Sequence, residues 1–128
     1  MYSPTSNTIW HRALAVEVDK VGHELAHLWY KHTYPNISLN NNLNSELIST
    51  LAELVYSIDT YNGKYYLMSR FETGDIENKI KPFWDNPNSE NLDKYLEVFK
   101  DKRPEYNNFV FDRGSFLGQV ENFKNLFR

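Results

Sequence analysis

Apolar residues along this chain recur at alternating intervals of three and four, a rhythm that only a helix turns into one continuous face. Trp10, Leu14, Val18, Val21, Leu25, Leu28 and His32 form a first stripe, and Leu43, Leu47, Leu51, Leu54, Val55 and Ile58 form a second. The first predicts a helix from about Thr5 to Lys31, broken at Tyr34-Pro35-Asn36 because proline drives the residue before it out of the helical region. The second helix is expected to begin near Asn44 or Ser45, both good capping residues, and to run to about Tyr61. There Asn62-Gly63 supplies the left-handed backbone that closes a helix. Two long helices joined by a short asparagine-rich loop predict an antiparallel pair.

The rest of the chain reads in shorter pieces. Lys64 to Phe71 is assigned to a third helix for want of a partner strand, and Asp75 to Lys81 to a short helix stopped by Pro82. Ser89 is the expected cap of a helix that buries Leu92, Tyr95, Leu96 and Phe99 and ends before Pro104. Residues 106–113 stay open between helix and strand. A last helix from about Ser115 is expected to turn Phe116, Leu117, Val120, Phe123, Leu126 and Phe127 inward. The predicted fold is all-α: a single compact bundle of five to six helices forming one domain over residues 1–128, long enough to bury a core without staples.

Composition removes several classes of chemistry. With no cysteine there is no disulfide, no thiolate metal site and no cysteine nucleophile. A net charge of −3 with scattered lysines and arginines argues against binding the nucleic-acid backbone. No run of apolar residues is long enough to cross a membrane, and the first residues lack the pattern of a signal peptide, so a cytoplasmic protein is expected.

One short segment carries recognisable chemistry: His23-Glu24-Leu25-Ala26-His27. Histidines four apart share a helical face and grip one ion, and the glutamate between them is placed to act as a base on water. The segment resembles the metal-binding helix of zincin-type zinc metallopeptidases. That resemblance implies zinc held by His23 and His27 and a catalytic role for Glu24. The extended form of the motif needs Gly at position 30 and His at position 33, where Tyr30 and Thr33 stand. The third ligand would then be a downstream glutamate, Glu53 or Glu46. In such peptidases a sheet precedes the motif helix, whereas the residues before His23 read as the earlier part of the same helix.

Helical phase points the other way. His23 and His27 fall opposite the stripe of α-helical leucines and valines, and Glu46 and Glu53 fall away from the leucines of the second helix. Both polar faces are therefore expected to meet water. On that reading no cofactor is bound, and the chain is a non-enzymatic binding protein that neutralises another, basic protein, in the manner of an immunity protein or antitoxin. Aromatic residues make up 16% of the chain and favour interfaces, so the expected contact surface is Tyr61, Tyr65, Tyr66 and Trp84 interleaved with Glu72, Asp75 and Asp85. The alternative is a minimal zinc-dependent metallopeptidase.

Overall fold

The computed structural model describes residues 21–61 and 71–127, and the fold over them is all-α. Helix α1 covers residues 21–33, α2 runs Leu43–Tyr61, α4 runs Ser89–Lys102 and α5 runs Arg113–Lys124. Between them, α3 is a continuous helical stretch made of Thr73–Asp75, a π-helical turn Ile76–Ile80, and Lys81–Asp85. Single 3-10 turns, Pro104–Tyr106 and Asn125–Phe127, follow α4 and α5. Among the described residues there is no strand, only an isolated bridge between Asn42 and Val110. The expected antiparallel pair is present: His23 of α1 meets Glu53 of α2, and further along α1 His27 meets Ser45, nearer the start of α2. The assignment of residues 64–71 to a helix falls almost wholly outside the described residues.

Helix α2 is the central element because it is buried on more than one face. Its leucine stripe behaves as the spacing predicts, with Leu43, Leu47, Leu51, Leu54 and Val55 all in the core. Ser45, Ser49, Ala52 and Glu53 lie round the opposite side of the helix and are buried as well. That second face receives α1. Helix α1 approaches it through Gly22, Ala26 and Tyr30, which are buried, while His23 and His27 are half-buried.

The orientation of α1 therefore corrects the phase argument. Val21, Leu25 and Leu28, expected in the core, are 42%, 47% and 62% exposed, and the histidines expected in water face α2. The physical reason is α2, whose small residues Ser45, Ser49 and Ala52 form a second packing face that a count of large apolar residues misses. Trp10, Leu14 and Val18 lie outside the described residues.

Helix ends differ from expectation in instructive ways. Asn42 caps α2, its Oδ1 accepting from the Ser45 amide at 3.0 Å. Asn44, expected as a cap, is buried and joins three elements: its Nδ2 donates to the Asp112 carbonyl and to Gln119 Oε1, and its Oδ1 accepts from the Asp112 amide. Tyr30 reaches the same Gln119 oxygen from α1. Asn88 rather than Ser89 caps α4, and α5 begins at Arg113. Pro82 does not stop a helix; it sits where the π turn passes into the α segment that follows it.

Aromatic residues mostly pack on one another inside the bundle. Phe83 stacks between Tyr95 and Phe116, and Phe99, Tyr106 and Phe109 continue the chain of rings. The Tyr95 hydroxyl is satisfied by donating to the Leu47 carbonyl at 2.6 Å. At the C-terminal end the 3-10 turn changes the phase of the helix, so Leu126 and Phe127, expected inward, are largely exposed. Leu51 is fully buried at the centre of α2, so Leu51→Ala should cost about 2–5 kcal/mol of stability, read as a lowered urea midpoint.

Candidate metal centre

Where α1 crosses the polar face of α2, four ionisable side chains converge. His23 Nε2 and His27 Nε2 lie 3.1 Å apart. Glu46 bridges them, with Oε1 3.2 Å from His27 Nε2 and Oε2 3.4 Å from His23 Nε2. The outer ring nitrogens are also held. His23 Nδ1 donates to Glu53 Oε2 at 2.9 Å, and His27 Nδ1 bonds the Ser45 hydroxyl at 2.6 Å. Spacing explains the assembly: His23 and His27 are one turn apart on α1, and Glu46 and Glu53 are two turns apart on α2, so each pair shares a face.

These separations fit a shared cation. Donors about 2.0–2.1 Å from a tetrahedral zinc stand about 3.3 Å from one another, close to the 3.1 Å between the two Nε2 atoms, and the Glu46 carboxylate meets each nitrogen through a different oxygen. His23, His27 and Glu46 each offer a ligand atom within one 4.8 Å cluster. The outer hydrogen bonds to Glu53 and Ser45 follow the pattern by which ring orientation and tautomer are fixed around a metal. Oε2 of Glu46 is buried and makes no hydrogen bond, but it lies at ion-pair distance, 3.4 Å, from His23 Nε2, where a positive charge would satisfy it.

In the absence of an ion, a proton supplies that charge. A carboxylate at Glu53 only accepts, so His23 Nδ1 carries hydrogen, and two unprotonated Nε2 atoms facing each other would repel. Burial lowers the pKa of His23, but the surrounding Glu46 and Glu53 carboxylates outweigh it and raise the pKa to about 9. Burial raises the pKa of Glu46, and the two facing imidazoles outweigh that and bring it down to about 2.

The position of the sequence-predicted residues can now be given. His23 and His27 face inward together, correcting the expectation that they meet water. Glu46 and Glu53 turn toward them, correcting the matching expectation for α2. Glu46 is the carboxylate that lies between the two Nε2 atoms, and Glu53 stands behind His23 at its Nδ1. Glu24 is exposed on the outer side of α1. Of the expected partner surface, Tyr65 and Tyr66 and the side chain of Tyr61 lie outside the described residues. Glu72 and Asp85 are exposed and paired with Lys102 and Lys81, and Asp75 is half-buried. Trp84 packs on Phe123 and Phe127 beneath the Lys124 ammonium.

Ser45, expected only as a cap, and Arg103 also contribute to the cluster. Arg103, just past the end of α4, brings its guanidinium to 3.7 Å from Glu53 Oε1 and over the Phe71 ring. Glu53 thereby links Arg103 to His23. A separate cavity of about 200 Å³ between α1, the loop before α2 and α5 is lined by Tyr30, Asn42, Asn44 and Gln119 among others, whose polar groups are largely spent on one another. No family model, no curated protein and no solved structure matches the chain.

The two shifted groups make the stability of the ion-free chain pH-dependent. The His23 pKa is raised from 6.5, so its contribution is full below pH 6.5 and is lost as pH rises through about 9. The Glu46 pKa is lowered from 4.5, so its contribution is full above pH 4.5 and is lost as pH falls through about 2. Urea midpoints of chelator-treated protein should fall across the alkaline window, and His23→Gln should flatten that fall.

Proposed function

We propose that this chain is a zinc-dependent hydrolase of minimal, all-helical build, with His23, His27 and Glu46 as ligands and Glu24 as general base. The observation that carries the reading is the convergence of two Nε2 atoms and a carboxylate whose Oε2 is buried without a hydrogen-bond partner. Two imidazoles and one carboxylate are a donor set that suits zinc, and His23, His27 and Glu46 would hold it. His23, His27 and Glu46 keep 15–18% of their side-chain surface exposed, so water reaches the centre while the cluster stays largely desolvated.

Each residue then has a stated task. Glu53 and Ser45 hold the two rings with their Nε2 atoms converging, and Arg103 balances the Glu53 charge. A zinc ion held there supplies Lewis acidity and a water acidified toward neutral pH. Glu24 follows His23 in the chain and is exposed, and as general base it would accept the proton of the attacking water and pass it to the leaving group. The resemblance of residues 23–27 to zincin peptidases favours an amide bond as the one cleaved. No strand stands beside the centre among the described residues, which favours a short or flexible peptide over one clamped along a sheet edge.

Calorimetric titration with zinc tests the centre, and peptide hydrolysis tests the chemistry. Native protein should take up one zinc per chain, and His27→Ala or Glu46→Gln should weaken uptake by about 100-fold or more. Glu24→Gln should keep the zinc and lose cleavage of a fluorogenic peptide library. Uptake that His27→Ala leaves unchanged would overturn the site; cleavage that survives Glu24→Gln would overturn the assigned base.

A further inference from the structure

Val21, Leu25 and Leu28 are large apolar residues on a helix whose other side is already packed, and they are 42%, 47% and 62% exposed. Their spacing of four then three, continued by exposed His32, is the narrow seam of a two-helix coiled coil rather than the broad face of a helix laid on a core. In the sequence the same spacing runs back through Val18 and Leu14. Glu24 and Lys31 flank the seam on one side, seven residues apart, exposed and of opposite charge.

We propose that this edge of α1 is a self-pairing surface, on which α1 of a second copy of the chain lies antiparallel. The charges select both the partner and its direction. With Leu25 of one chain beside Leu28 of the other, Val21 falls beside His32, and Glu24 of each chain faces Lys31 of the other, giving two symmetric ion pairs. A parallel arrangement sets Glu24 beside Trp29 and loses both pairs. Sliding the antiparallel pair by one heptad brings Glu24 against its own copy, a like-charge contact that disfavours that register. Pairing engages Glu24, so the two-chain form is a resting form of the centre if Glu24 is the base. The pairing itself stands on α1 alone and does not depend on zinc.

Sedimentation equilibrium of the full chain tests it, with circular dichroism and zinc titration as controls for folding. Native protein should sediment as two chains, and the double variant Leu25→Asp, Leu28→Asp as one, with helix content and zinc uptake kept. Lys31→Glu should weaken association by about tenfold through two lost pairs and two new repulsions. Adding Glu24→Lys to Lys31→Glu should restore association, which a merely structural role for either residue would not produce. Native protein that sediments as a single chain, a two-chain form that survives both aspartates, or a charge swap that fails to restore association would each overturn the proposal. None of those results bears on whether His23, His27 and Glu46 bind zinc.

Discussion

Two imidazole nitrogens held 3.1 Å apart, with a carboxylate against both, need a proton or a cation among them. The packing of α1 on α2 depends on that requirement being met. Each histidine is gripped at both ring nitrogens, Nδ1 by Glu53 or Ser45 and Nε2 by the shared cluster, so neither ring turns away without breaking two contacts. A proton meets the requirement in one way and a divalent ion in another. An ion held there would use all three convergent side chains at once.

Around this cluster α2 works as a two-sided spine. Its leucines close the apolar core against the aromatic rings of α3, α4 and α5, and its small and acidic residues close a polar seam against α1. Asn44 and Gln119 fasten α5 to the start of α2, and Tyr30 joins them from α1. Arg103 brings the end of α4 to the back of Glu53. The site is thus supported by helices on both sides of α2, so its side chains are held from two directions.

Much of the fold was legible in the sequence because apolar periodicity reports helices directly. The leucine stripe of α2 and the buried face of α4 followed from spacing alone, as did the antiparallel pairing of α1 with α2. The orientation of α1 did not, because large apolar residues mark a core only when the helix has one buried face and the partner helix has one face to offer. Ser45, Ser49 and Ala52, spaced as one side of a helix, were the signal for a second packing face on α2. Glu46 and Glu53, seven apart on that same side, were the signal for a polar partner to His23 and His27. The ligand spacing in residues 23–27 was plain, whereas Arg103 came to the site through tertiary packing that no local pattern announces. Reading the chain as a binding protein rested on its acidic, aromatic-rich composition and on the lack of a catalytic constellation, and the convergence of His23, His27 and Glu46 bears on the second ground alone.

X-ray absorption at the zinc edge of the loaded, full-length protein tests the central claim most directly. The account predicts two imidazole nitrogens and one carboxylate oxygen about 2.0–2.1 Å from the ion, with the outer-ring scattering that marks histidine. A shell of oxygens alone, or a histidine signal unchanged in the His23→Ala, His27→Ala double variant, would contradict it.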